Sequence, residues 1–527
     1  MFAKILAMLG VALIFSACAC GGGGGGGGGN SPVTSTFSAP PAFSAQPISP
    51  TISAPAPATF TVVVSGAPSL QWQISTDRGV TWTNIGGATA VTYTTPATAS
   101  ADNGKQFRVI ASNSGGMVTS TAATLTIAEP VVVFGRLIAN KASLYLINAD
   151  GSGSTSALAV NGDNNYYAGS TDNGKIIFYR QTSIQNAFYS INRDGTGLTA
   201  LLPNASSPDF VGIAASNRVI LTRYTATFST ELVSVNSDGT GVSAPLLIGD
   251  STERVFYHGV TADGRVVYSK FKAGQSLGIF SSNVQMTAVV TVETGSPNLG
   301  GVCSVRPNGL IVFNTVKDVN APFADSDLFT INADGSRRTA LATTTAAENC
   351  AGISSTGQII FTRTTDTQPQ RDLFGINADG SSLVALAQST DDETYAGSTA
   401  SGKILYLRDV GGQPDLYIVN ADGSGQLALA NSTDAEIFQG VAPSGRVIFQ
   451  RAVNAQGDLF SINADGSGLL ALAAAPTASE ETRAVTADGR VIYLTDTTGV
   501  RDLYIVNADS TGRRLLAADA YFAGLAK

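Results

Sequence analysis

The sequence predicts an all-β chain in two folded parts: a short-stranded sandwich over residues 37–128 and, over 131–527, a β-propeller of about nine four-stranded blades closed by the C-terminal strand. Three observations carry that expectation. A short strand, an Asn-Ala-Asp-Gly-like turn and a second short strand recur with turn aspartates Asp150, Asp194, Asp238, Asp334, Asp379, Asp422, Asp465 and Asp509. Their steps are 44, 44, 96, 45, 43, 43 and 44 residues, so the long step hides a degenerate copy that begins at Ser276. A period in the forties with several strands per unit is the pattern of a propeller blade. A second landmark, a small turn followed by an apolar strand, keeps step with the first: NGKIIFYR from Asn173, TGQIIFTR from Thr356, SGRVIFQR from Ser444. Counted from VVVFGRL at Val131 to RVIYLTD at Arg490, that landmark gives nine units. Finally, the ring starts on this middle strand and ends on a lone inner-type strand, Tyr521-Phe522-Ala523-Gly524-Leu525, which is expected to complete the first blade and remove its open edge.

At the N-terminus, Lys4 precedes an apolar stretch over residues 5–15, too short to span a bilayer, and then Ser16-Ala17-Cys18. This resembles a bacterial lipoprotein signal. The resemblance implies a signal peptide 1–17, a lipid on Cys18 and export, with Cys20 as the alternative lipid site. Ala19 after that cysteine resembles the pattern of outer-membrane sorting. Residues 18–36 contain nine consecutive glycines, Gly21 to Gly29, and read as a flexible tether. The membrane is therefore expected to be reached through the lipid alone. Asp and Glu number 39 against 31 Lys and Arg, which leaves no basic surface for nucleic acid.

Residues 37–128 alternate Thr, Val and Ser without the Asp-Gly repeat. Trp72 falls where an immunoglobulin fold buries its core tryptophan, and the run from Asp102 to Phe107 resembles the corner before its penultimate strand. The segment thus resembles bacterial immunoglobulin-like domains held by packing without a cysteine pair. Within it, Ser75-Thr76-Asp77-Arg78-Gly79-Val80-Thr81-Trp82 matches the Asp-box of sialidase-type propellers, where the box staples a hairpin; a single copy outside the ring reads as a turn.

The ring resembles TolB-like propeller repeats over residues 131–527, without the separate α/β domain of TolB. Its strands are labelled A to D outward from the axis. In strand A, Gly169, Gly212, Gly259, Gly352, Gly397, Gly440 and Gly524 share one register, which is expected where inner strands crowd the axis. Two residues earlier stand Tyr167, Phe210, Tyr257, Tyr395, Phe438 and Phe522. These rings are expected to pack between blades, with Phe522 buried; the functional alternative is a stacking platform for sugars. Tyr167, Phe210, Tyr257, His258, Tyr395 and Phe438 are the candidate binding residues. Arg363, Arg408 and Arg451 end B strands opposite Asp372, Asp415 and Asp458, and cross-strand ion pairs are expected there.

His258 is the only histidine and no nucleophile elbow accompanies it, so no catalytic residue, metal ligand or cofactor is expected. The Asp-Gly turns lack the further carboxylates of a calcium loop. Aligned on Gly309 and Gly357, Cys303 and Cys350 sit six and seven residues upstream, so their side chains are expected on opposite strand faces; export permits a disulfide, but this register speaks against one. The functional expectation is a non-catalytic, lipid-anchored envelope protein whose propeller binds a protein or glycan. The alternative is an enzyme on polysaccharide or peptidoglycan, using carboxylates at the channel mouth from Asp172, Asp263 and Asp488.

Overall fold

The computed structural model describes residues 39–526 except 53, 55, 153–154, 184–185, 204–207, 215, 284, 286, 295–298, 317–324, 366–367, 454–455, 476–477 and 498. The expected signal peptide, Cys18, Cys20 and the tether lie outside the described residues.

The first module wraps short strands around one core. Its longest pair is Ser69–Ser75 against Gln106–Asn113, flanked by Thr83–Asn84, Gly116–Thr119 and Ala123–Thr124. Thr59–Thr61 pairs with Thr92–Thr94. Trp72 is fully buried, near Phe60, Tyr93 and Phe107, and its indole N–H donates to the Ala90 carbonyl at 2.9 Å. Phe107 stacks on Phe60 with ring centroids 4.4 Å apart, so the corner phenylalanine serves packing. The Asp-box closes as a staple: Asp77 accepts from the Ser75 hydroxyl at 2.7 Å and from the Thr81 N–H at 2.8 Å. Those bonds, the Thr81 hydroxyl foremost, hold its carboxyl down at about 2.

The second module is a ring of nine four-stranded antiparallel sheets. Strand A of blades 2 to 9 runs Asn164–Ser170, Asp209–Ile213, Glu253–Val260, Leu299–Val305, Ala347–Ile353, Asp392–Ser398, Glu436–Val441 and Ser479–Val485. Strands B, C and D follow outward in chain order; in blade 6 they are Ile359–Thr365, Gln368–Ile376 and Val384–Ala387. Neighbouring A strands touch, which puts them innermost. Blade 1 takes B, C and D from Val131–Ile138, Lys141–Asn148 and Ser156–Ala159, and its A strand is Tyr521–Ala526 from the other end of the chain. The pairing Val131 with Ala526, Val133 with Gly524 and Gly135 with Tyr521 closes the ring as expected.

The B strands read as unbroken apolar runs because each is covered on both faces by neighbouring blades. Ile176, Ile177 and Phe178 in blade 2 and Ile359, Ile360 and Phe361 in blade 6 are all at zero exposure. The Asp-Gly turns are hairpins: Asp379 accepts the Ser381 N–H at 2.9 Å while Gly380 takes φ +84°. Phe522, expected to be buried, is only half-buried, because ring residues this close to the axis keep one side open.

Candidate functional site

One defect repeats in every A strand. Tyr167 opposes Phe178 and Gly169 opposes Ile177, which leaves Ala168 as an extra, bulged residue. The same bulge falls on His258, Cys303, Gln439 and Ala523. A bulge re-aims the side chains beside it. Tyr167, Phe210, Tyr395 and Phe438 then lie over the glycine of the preceding blade: a Cβ on Gly352 would fall 2.5 Å from the Tyr395 ring, and one on Gly397 2.9 Å from Phe438. Gly169, Gly352, Gly397 and Gly524 thus make room for a neighbour's ring, and Gly212, Gly259 and Gly440 for Val260, Val305 and Val485 of the next blade, a different cause from the crowding at the axis read from sequence. The Tyr167 hydroxyl donates to the Leu525 carbonyl at 2.7 Å and that of Tyr395 to Ile353 at 3.2 Å. Tyr167, Phe210, Tyr395 and Phe438 are accordingly half-buried between blades. His258 turns back on its own blade, Nε2 lying 2.8 Å from the Ser269 hydroxyl, and burial lowers its pKa.

Cys303 and Cys350 form a disulfide with Cα atoms 6.0 Å apart. This corrects the expectation drawn from their register: the opposite-face placement that spoke against a bond is the arrangement that joins them, because successive blades meet back to front. Cys350 stands in the aromatic column, which points at the preceding blade, and Cys303 is the bulged residue there. Opening this 47-residue loop by Cys350→Ser is expected to cost about 2–4 kcal/mol and lower the thermal midpoint. Mass spectrometry after alkylation checks it; free thiols at both positions in unreduced protein contradict the pairing.

The expected Arg–Asp ion pairs are corrected. Arg363, Arg408 and Arg451 do lie opposite Asp372, Asp415 and Asp458 in the ladders. Their guanidinium Nε atoms instead approach Glu348 at 3.2 Å, Glu393 at 3.5 Å and Glu436 at 3.0 Å, on the A strands. Those glutamates are at zero exposure, and a buried carboxylate demands a counter-charge more than an edge aspartate does. Each also accepts a hydroxyl four residues upstream, from Thr344, Ser389 and Ser432. Burial raises the carboxyls of Glu348, Glu393 and Glu480 above the usual range. Asp415 is raised too, by burial and then by the charge of Glu436 across the blade interface. The signal was present in the sequence: these glutamates stand four residues before Gly352, Gly397, Gly440 and Ala484.

Asp172, Asp263 and Asp488 sit in the A–B turns of three different blades. Asp263 accepts the Thr261 hydroxyl and lies 3.4 Å from Arg265; Asp488 accepts the Thr486 hydroxyl and pairs with Arg490. Asp263 and Asp488 serve their own turns; in the turn of Asp172 the corresponding hydroxyl, of Thr171, bonds Asn173 instead.

At the opposite end of the ring, blades 3 and 4 depart from the repeat. Where blades 6 to 8 place Asn349, Thr394 and Ile437, blade 4 places Phe256; where they place Thr364, Asp409 and Ala452, blades 3 and 4 place Tyr224 and Phe271. A hollow of about 570 Å³ is lined by Asp209, Tyr224, Phe228, Arg254, Phe256 and Tyr257 among others. A second, of about 630 Å³, shares Arg254 and Phe256 and adds Phe271. Phe228 is 77% exposed at φ +61°, a costly conformation for a bulky residue. Its turn is clamped by the Thr225 hydroxyl, 2.8 Å from that of Thr227, and by Phe228 N–H to Thr225 carbonyl at 2.9 Å. Of the candidate binding residues, Tyr257 alone lines this cleft; burial pushes its hydroxyl pKa up, and that hydroxyl has no hydrogen-bond partner among the described residues. Sequence reading followed the shared columns and so passed over Tyr224, Phe228, Arg254, Phe256 and Phe271, which break them.

Residues 45–129 match a family described as a domain of unknown function (DUF8696). A stretch of 96 residues is 41% identical to endoglucanase C of Cellulomonas fimi, covering 18% of this chain and 8% of that protein's length. Among solved structures, Porphyromonas gingivalis dipeptidyl peptidase 4 is similar at TM-score 0.45 and 10% identity, over 67% of this chain and 59% of that one. The β-propeller domain of the Trilobed protease from Pyrococcus furiosus gives TM-score 0.35 at 13% identity, over 59% and 96%. At these scores and identities the likeness adds nothing to what the strand pairing shows.

Proposed function

We propose that this chain is a lipid-anchored binding protein of the cell envelope, tethered through Cys18, spaced from the membrane by an immunoglobulin-like module and presenting its propeller to a partner. The observation that carries the reading is the cleft of blades 3 and 4, where a regular ring gives up its repeat for a cluster of exposed aromatic side chains around two hollows. A surface that departs from a repeat's consensus and holds a strained, exposed Phe228 is spent on something other than stability. The 96-residue similarity to an endoglucanase supports a glycan-rich setting.

Two measurements test the reading. Cys18→Ser is expected to move the protein from the membrane to the soluble fraction; release by Cys20→Ser alone would shift the anchor to that residue. Purified full-length protein is expected to cosediment saturably with isolated cell envelopes and to lose that binding in the double variant Phe228→Ala/Phe256→Ala. Envelope binding unchanged by the double variant, or glycan hydrolysis that depends on Asp172, Asp263 or Asp488, overturns it.

A further inference from the structure

We infer that the blade 3–4 cleft is a saccharide site that takes a neutral, chain-like glycan of several sugar units; the inference rests on the binding-protein reading above. The chemistry of the lining points to it. Sugars bind by laying their C–H faces on aromatic rings while the ring edge meets donors and acceptors. Tyr224, Phe228 and Phe256 are 39%, 77% and 49% exposed, so their faces are available. Phe256 and Phe271 meet edge-on, centroids 5.4 Å apart at 90°, which fixes the Phe256 ring from its side and leaves it a rigid floor.

Polar groups stand between the rings. Arg254 is exposed and forms no ion pair among the described residues, and Asp209 is exposed on the facing blade. Together they supply donors and an acceptor with no net charge. The surrounding charges are already spent: Glu253 lies 3.3 Å from Lys270, Asp250 3.6 Å from Lys272 and Glu231 2.8 Å from Arg223. An acidic polymer or a charged peptide finds no surplus of either sign, whereas a neutral polyhydroxyl ligand needs none. Each hollow alone lies within the range of about 300–1,000 Å³ typical of small-ligand sites. Two neighbouring hollows that share Arg254 and Phe256 in their linings therefore offer places for successive sugars.

The internal repeat provides a matched control, since Ile437 occupies in blade 8 the register position of Phe256 and is 46% exposed. Isothermal titration of the full-length protein with neutral gluco-oligosaccharides and manno-oligosaccharides of one to six units, and with polygalacturonate, tests the inference. The expected result is binding of one neutral series with affinity that rises with chain length. Phe256→Ala should weaken it by about tenfold or more, as loss of a central aromatic contact does, while Ile437→Ala leaves it unchanged. Thermal midpoints of both variants check that the ring is intact. If no neutral series binds, or polygalacturonate binds best, the saccharide assignment fails; envelope cosedimentation lost in Phe228→Ala/Phe256→Ala would then show that the binding-protein reading still stands with a protein partner. Equal loss in Ile437→Ala overturns the placement of the site.

Discussion

A chain ending at Ala520 is expected to lose thermal stability out of proportion to the few residues removed. Tyr521–Ala526 is the inner strand of blade 1, paired along Val131–Ile138, and without it that strand presents an open edge at the axis. Phe522 and Leu525 leave the core shared with Val132, Phe134 and Leu503, and Tyr167 loses the Leu525 carbonyl that accepts its hydroxyl. Ala526, 5% exposed, leaves the adjoining cluster around Val133 and Phe178. Loss of a closing strand and two clusters amounts to a cost on the order of 5 kcal/mol, a large share of the stability of an ordinary domain. The open edge is further expected to turn monomer into aggregate. Calorimetry with light scattering checks both. Gly135→Leu is the companion variant: any Cβ there falls inside the Tyr521 ring, so it prises the same strand while keeping every residue of it. Phe522→Ala alone should cost less than the about 3–5 kcal/mol of a fully buried phenylalanine, since the ring is half open.

Arg363→Ala is expected to destabilise the ring by about 3–5 kcal/mol at neutral pH and by much less in mild acid. Arg363 is the counter-charge of Glu348, at 3.2 Å, and Glu348 is at zero exposure. Burial already raises that carboxyl above the usual range, and removal of the guanidinium raises it further. A carboxyl raised in the folded state holds its proton there longer than in the unfolded chain. Its stabilising contribution is therefore present at low pH and is lost as pH rises from the ordinary carboxylate range, about 4.3, through the raised value. Glu348, Glu393, Glu480, Asp415 and Asp458 all act in this sense. The exposed turn aspartates oppose it: hydrogen bonds from the following Ser or Thr lower Asp194, Asp238, Asp379, Asp422 and Asp465, whose contribution is lost as pH falls below the usual range. The parent protein should accordingly be most stable in mild acid. The Arg363→Ala deficit should shrink steadily from pH 7.5 to 4.5; a deficit independent of pH means that Glu348 is not the group left uncompensated.

The architecture was legible because it repeats. Eight clear Asp-Gly turns set the period, the apolar B runs marked the strands buried on both faces, and Tyr521 to Leu525 had the pattern of an inner strand without a blade of its own. What the repeat did not convey was how one blade meets the next. The ring-on-glycine contact of Tyr395 with Gly352, the disulfide of Cys303 with Cys350 and the preference of Arg451 for Glu436 over Asp458 are all set by back-to-front packing or burial, which a single strand's register does not contain. The candidate site was legible only in its column member, Tyr257. Its remaining residues lie where the pattern fails, so they look like noise until the fold puts Tyr224, Phe228, Arg254 and Phe256 around one cleft.

Closure of the ring by its own C-terminus underlies the nine-blade architecture, and hydrogen exchange of the unmodified protein tests it most directly. The Val131–Ile138 strand pairs on both sides, so its amides and those of Tyr521–Ala526 belong to one ladder. Those amides of Tyr521–Ala526 that point at the Val131–Ile138 strand are expected to exchange as slowly as those of Val132 to Phe134, in one cooperative unit with blade 1. Free-coil exchange of the last six described residues, with blade 1 still protected, would mean that the ring is shut in another way and that the C-terminal strand is no part of it.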